Sequence, residues 1–277
     1  MTLPNFLIIG APKAGTTSLY DHMREHPQIF MSDPKEARFL AYQGQGGDRK
    51  RWPIQSLEEY EALFAPVTTE TAIGEATPHY LIYPHVAGRI HELLPEAKLI
   101  ASLRNPIDRS YSVYQMNRRN QGTNTGVAYA EALRSDHNLR ETYADKLERY
   151  FALFPKEHIR ILLLEDLEGR PEAVMRGLFE FLGVDTDFKP DLSKISNPGG
   201  EPRIKLLHDL LANPGLREFG RKILPRGAIE RLKDLRSSNL RKQPMSSADR
   251  KAALAVFRED ILATQALIGR DLSHWLR

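Results

Sequence analysis

Asn5-Phe6-Leu7-Ile8-Ile9-Gly10-Ala11-Pro12-Lys13-Ala14-Gly15-Thr16-Thr17-Ser18-Leu19 decides how the chain is read. Phe6 to Ile9 is a short apolar run closed by Gly10, which predicts a buried strand. Leu19 and Met23, four residues apart, predict a helix that Pro27 stops. Between them lies a glycine loop. A strand, a glycine loop and a helix in that order form a cradle for a phosphate-like anion. Backbone N–H groups and the positive end of the helix dipole both face the loop. Gly10 and Gly15 permit close backbone approach, and Thr16, Thr17 and Ser18 add hydroxyls.

Working outward, the same alternation repeats. Ala72-Ile73-Gly74-Glu75 predicts a short strand, Lys98 to Arg104 a stronger one closed by Asn105-Pro106, and Ile159 to Leu164 a third. Val86 to Leu94 predicts a helix stopped by Pro95. A further helix follows Pro106, with Ile107, Ser110, Tyr111 and Tyr114 on one side. Leu139, Tyr143, Leu147, Tyr150, Phe151 and Phe154 recur in steps of three and four, which predicts one amphipathic helix. Pro171 opens another helix that Gly183 caps. Ser246 and Asp249 resemble a capping box, opening a helix with Ala253, Phe257, Ile261 and Ile268 inward. The stretch Gln43 to Asp48 reads as an exposed loop. Strands alternating with helices predict an α/β fold: a P-loop-like three-layer arrangement with a central parallel sheet flanked by helices, and helical C-terminal additions. One domain over residues 1–277 is expected.

Composition narrows the class. The chain has 277 residues, 41% hydrophobic and 27% charged, enough for a sizeable core. It has no cysteine, which excludes disulfides, thiolate catalysis and cysteine-ligated metals. No apolar run approaches the roughly 20 residues of a transmembrane helix. MTLPNFLIIG lacks the basic and apolar regions of a secretory signal, so a cytoplasmic setting is expected. The net charge of +3 does not point to nucleic acid. Between Asp191 and Ser247, however, 12 Lys/Arg stand against 6 Asp/Glu, a basic region that suits either solvent or an anionic ligand. The histidines show no metal-ligand spacing, so no metal is expected.

The loop is nearly a Walker A sequence, but Thr16 stands where the lysine belongs and the lysine is Lys13, in mid-loop. A nucleotide kinase needs lysine on the β- and γ-phosphates and a hydroxyl on magnesium. A mid-loop lysine instead reaches a bridging oxygen on the 5′-phosphate and demands no metal. At the end of the Lys98 strand, Arg104 is suited to a two-pronged grip on a second phosphate. Ser112, about two helical turns on, offers that anion a hydroxyl.

Asn5 to Leu19 resembles the 5′-phosphosulfate loop of sulfotransferases that use 3′-phosphoadenosine 5′-phosphosulfate (PAPS). Leu99 to Tyr114, LIASLRNPIDRSYSVY, resembles their 3′-phosphate motif. The tail, from Gln243-Pro244-Met245-Ser246 to Gly269-Arg270-Asp271-Leu272-Ser273 and Trp275, resembles bacterial members. The resemblance implies PAPS as co-substrate. Ala14, Gly15, Thr16, Thr17 and Ser18 would cradle its 5′ end, with Arg104 and Ser112 on the 3′-phosphate. It also implies Lys13 at the departing bridge oxygen. Pro34-Lys35-Glu36-Ala37-Arg38-Phe39 resembles the Lys-Glu-Pro-His-Phe-Phe motif of heparan sulfate sulfotransferases, which implies Glu36 as the base. Ala37-Arg38 replaces the Pro-His pair. Gly74 to Tyr80 resembles that family's Glu-Lys-Thr-Pro-Ser-Tyr segment, with Ala76 in place of its lysine and His79 as a second candidate base. Arg203, in the loop from Asn197, with Lys205 behind it, resembles a late basic residue over the 3′-phosphate.

The expected function is sulfuryl transfer to a hydroxyl or amine of a carbohydrate, lipid or small metabolite. A P-loop kinase-like phosphotransferase and a non-catalytic nucleotide-binding protein are the alternatives.

Overall fold

The computed structural model describes residues 2–120, 127–193, 201–202, 240–241 and 244–277. These fall into two compact units. The first holds Met1–Arg109, Glu141–Lys194 and Leu254–Arg277; the second holds Ser110–Arg140 and Ile195–Ala253.

The first unit is built on a five-stranded sheet of β1 (Phe6–Gly10), β2 (Ile29–Met31), β3 (Ala72–Ala76), β4 (Lys98–Leu103) and β5 (Ile159–Leu163). Their order is β2-β3-β1-β4-β5, and every pairing is parallel. Parallel sheets need cover on both faces, and β1 is accordingly buried at all five positions. Against one face pack Leu19, Tyr20 and Met23 of α1 (Thr16–Arg24), and Met175, Leu178 and Phe179 of α8 (Pro171–Leu182). Phe6 lies directly over Gly74, its partner in register. A β-carbon there would sit 2.1 Å from the ring, so only glycine fits.

The topology places the site. The chain leaves β1 through α1 toward β2 and β3 on one side, then crosses β1 to reach β4 on the other. That reversal opens a crevice at the carboxyl end of β1, where the glycine loop begins.

The expected fold class is what the chain adopts, with α3 (Val86–Leu93), α4 (Pro106–Asn120) and α9 (Ser247–Ile268) close to their predicted limits. One helix needs correction. The Leu139–Phe154 pattern is not one helix: a 3₁₀ turn covers His137–Arg140, and α6 runs only from Ala144 to Phe151. The break is held by Asp260 of α9, whose carboxylate accepts from the amides of Tyr143 and Ala144. It therefore caps α6 from a distant part of the chain. In α9, Ala253, Phe257 and Ile261 are fully buried as expected, but the next buried position is Thr264, and Ile268 is only partly covered. Sequence reading also missed α2 (Leu57–Ala62), although Ser56 and Glu59 carry the N-terminal signature: the Ser56 hydroxyl accepts from the Glu59 amide. Short α5 (Tyr129–Ser135) and α7 (Leu164–Gly169) complete the α-helices among the described residues, and Glu201–Pro202 pairs antiparallel with Leu240–Arg241.

Candidate active site

Gly15 stands at the N-terminus of α1 with φ of 78°, a left-handed conformation that side-chain-bearing residues adopt at a cost. A β-carbon there would also meet Leu164 at 2.8 Å. The first turn of α1 carries Thr16, Thr17 and Ser18 and no acidic residue. Its leading amides lack partners within the helix, so the helix end is built for an anion.

The loop is held from beneath by Ser102 of β4. Its hydroxyl donates to the Ala14 carbonyl at 2.6 Å, and its carbonyl accepts from the Ala11 amide at 2.7 Å. Ser102 is fully buried and was missed from sequence. Its signal was a lone hydroxyl within the apolar run Leu99 to Leu103. Arg104, at the end of the same strand, donates to the Lys13 carbonyl at 3.3 Å. The first unit thus brings Lys13 and Arg104 together. Arg109 is 2% exposed and donates to the Glu141 carbonyl, which makes it part of the packing. Ser112 is on α4 within the second unit. Arg203 and Lys205 lie outside the described residues.

Across from the glycine loop runs the segment Pro34 to Ala41. Glu36 has its carboxylate 2.7 Å from Arg38, 3.6 Å from Lys35 and 3.9 Å from Nδ1 of His79. Both candidate bases therefore share one cluster. Lys35 Nζ lies 3.4 Å from the Thr17 hydroxyl, so one ammonium touches both the helix that starts at the glycine loop and the carboxylate cluster. Lys35 too was missed as a site residue, because the motif it belongs to assigns a role only to its neighbour Glu36.

The electrostatics follow from these contacts. Burial pushes the Glu36 carboxyl up, but the Arg38 hydrogen bond and the charges of Lys35, Arg38 and His79 outweigh it and hold the group below the usual carboxylate range. Burial lowers the His79 imidazolium, only partly offset by Glu36, so His79 is neutral at neutral pH. Burial likewise lowers Lys35 against the pull of Glu36. An ionised carboxylate beside a neutral imidazole is a proton-accepting arrangement.

Backbone conformation marks the same place. Among the described residues, three non-glycine residues have positive φ: Lys13 at 69°, Glu36 at 64° and Arg38 at 58°. Such conformations persist only where the surroundings enforce them, and they gather at functional sites. Among the described residues, no group of three His, Asp or Glu is placed to hold a metal ion.

Known proteins share the sequence and fold of this chain over long stretches. The profile of the sulfotransferase family matches residues 4–188. A membrane-associated sulfotransferase of Dictyostelium discoideum, kil1, is 34% identical over 159 residues, covering 56% of this chain and 32% of that protein. The human bifunctional heparan sulfate N-deacetylase/N-sulfotransferase 3 is 30% identical over 196 residues, covering 66% of this chain and 22% of that protein. The chain thus spans a minor part of these relatives' length. Among solved structures, a sulfotransferase from Alicyclobacillus acidocaldarius matches over 100% of both chains with 29% identity and a TM-score of 0.74. Mouse sulfotransferase SULT7A1, complexed with PAP, shares the fold at 15% identity and a TM-score of 0.52, covering 94% of this chain and 86% of that one.

Proposed function

The chain belongs to the sulfotransferase family, and from that premise we propose that it moves a sulfuryl group from PAPS to a hydroxyl or amine acceptor by in-line displacement. One observation carries this most directly: Lys35 spans from Thr17 at the anion cradle to Glu36 at the proton acceptor, so donor and acceptor chemistry meet across one side chain.

Ala14 to Ser18 hold the 5′-phosphosulfate against the positive end of α1. Arg104 takes the 3′-phosphate, and the resemblance assigns Ser112 and Arg203 to the same group. Glu36 accepts the acceptor's proton as its oxygen or nitrogen bonds to sulfur, with His79 beside it as the alternative base. The bond between sulfur and the phosphate-bound bridge oxygen breaks, and Lys13 stabilises the charge that develops on that oxygen. The products are the sulfated acceptor and PAP, the ligand in the mouse structure of the same fold. The step requires no metal, because Lys13 supplies the positive charge at the leaving group. Residues 1–277 are read as one sulfotransferase domain. A cytoplasmic setting is supported by the absence of cysteine. Among the described residues, no helix is long and apolar enough to cross a membrane.

One relative is named for heparan sulfate, yet Ala76 stands where the heparan sulfate sulfotransferase segment that Gly74 to Tyr80 resembles has lysine. Carbohydrate, lipid and small-metabolite acceptors are therefore tested together. Incubation with sulfur-labelled PAPS and a fractionated metabolite extract should give new sulfate esters or sulfamates detectable by mass spectrometry. Donor binding with no transfer to any fraction supports a non-catalytic nucleotide-binding protein instead. Magnesium-dependent ATP turnover supports the kinase-like alternative.

A further inference from the structure

Directly behind the cluster lies a carboxyl group that sulfuryl transfer does not use. Glu75, on β3, is completely buried. Three hydroxyls surround it. Tyr60 and Tyr80 each donate to Oε2 at 3.0 Å, and Thr77 donates to Oε1 in a short hydrogen bond.

Each of these partners also holds one of three consecutive residues just beyond Glu36. The Thr77 hydroxyl accepts from the Arg38 amide at 3.3 Å. The Tyr60 ring stacks on the Phe39 ring, centroids 4.6 Å apart. The Tyr80 hydroxyl accepts from the Leu40 amide at 3.2 Å. Glu36 itself is tied to the same strand end, its amide donating to the Ala76 carbonyl at 3.0 Å.

A hydroxyl has one proton to give and lone pairs to receive with, whereas an ionised carboxylate can only accept. With Glu75 ionised, Thr77 and Tyr80 must both point their protons at it, and their oxygens are left to accept the Arg38 and Leu40 amides. We propose that Glu75 is a positioning residue: its carboxylate fixes the direction of the Thr77 and Tyr80 hydroxyls, which lock residues 38–40 and so aim the left-handed Glu36 segment at the acceptor. A neutral carboxylic acid or an amide at this position would donate a proton. At least one hydroxyl would then have to receive that proton and turn its own away from the carboxyl group, and the fixed orientation behind the lock would loosen.

The charged form is held at a cost. Burial pushes the Glu75 carboxyl up, and the three hydroxyls and Glu36 set the balance at about 7. The groups facing it are Tyr60 from α2, Thr77 and Tyr80 beyond β3, and Glu36 from the loop; Arg89 of α3 bears on the two tyrosines. Turnover should therefore fall as pH drops through about 7, where the carboxylate takes up a proton.

The test combines an activity-independent readout with kinetics, since the role rests on the sulfuryl-transfer reading. In Glu75→Gln, amide hydrogen exchange should rise across residues 36–41 and stay unchanged across residues 11–20. The kcat should fall on the order of 10²-fold, as for a displaced catalytic group, while the KM for PAPS changes little. The acid limb near pH 7 should vanish, leaving a flat low profile. Tyr60→Phe keeps the ring stack and removes one hydroxyl that lowers the Glu75 carboxyl, so its acid limb should move to higher pH with the fold intact. In His79→Ala the limb should persist. Unchanged exchange at residues 36–41 in Glu75→Gln, or an acid limb unmoved in Tyr60→Phe, overturns the role. Loss of sulfuryl transfer in the wild-type protein, with the exchange change still seen, refutes the reaction and leaves the lock standing.

Discussion

Glu36 and His79 sit 3.9 Å apart, and their environments push them toward complementary states. Arg38 and Lys35 hold the Glu36 carboxyl below the usual carboxylate range, and desolvation lowers the His79 imidazolium. The carboxylate is the stronger claimant as base because its backbone is held left-handed by contacts on both sides. Replacing Glu36 by Gln should lower kcat by about 10²- to 10⁴-fold, the usual worth of a positioned proton acceptor, whereas His79→Ala should cost roughly tenfold or less. Steady-state kinetics on both variants decide between them, and the reverse ranking assigns the proton to His79. At this scale sequence reading reached the titratable groups with a family motif around them. It did not reach Ser102, Lys35 as a contact of Thr17, or Glu75 as a buried acceptor of three hydroxyls. Those depend on which side chains from separate parts of the chain face one another; of the three, only Ser102 left a local trace, as a lone hydroxyl in an apolar run.

Among the elements, those written in local periodicity were legible. β1, β4, β5 and α8 are bounded by glycine and proline signals that act within a few residues. The stretch Leu139 to Phe154 was not, because its steps of three and four continue through a point where the backbone turns. There the amides of Tyr143 and Ala144 are taken by Asp260, more than a hundred residues away in sequence. An N-terminal cap supplied by another helix leaves no trace in the capped segment. Burial raises the Asp260 carboxyl and the two amides oppose that, so the group is bound into the fold rather than solvated. Asp260→Ala should destabilise the protein by about 1–2 kcal/mol, the range for a lost cap, and should loosen α6 first. Urea unfolding and hydrogen exchange over Ala144–Phe151 measure this; unchanged exchange there shows that α6 holds its start without Asp260.

For the molecule as a whole, the parallel sheet converts a linear pattern into a site. Its central strand ends in a glycine loop at the reversal of strand order, and the next strand over supplies Ser102 and Arg104 to brace that loop. The second strand edge, through Glu75 and Thr77, braces the segment that carries Glu36. Neighbouring strands therefore brace the glycine loop and the Glu36 segment separately, and Lys35 links the two. The family match over residues 4–188 covers all five strands of this sheet. On the proposed reading the choice of acceptor falls to the loops, whose residues are free of the periodicity that made the sheet readable.

The most direct measurement concerns Lys13. With sulfur-labelled PAPS and the acceptor it serves, Lys13→Ala should lose turnover by about 10³-fold, while calorimetric affinity for PAP weakens by no more than about tenfold, because the charge it meets develops mainly as the bridge bond breaks. Turnover within a few fold of the wild-type rate, or a loss explained wholly by weaker nucleotide binding, would contradict a leaving-group role for this lysine.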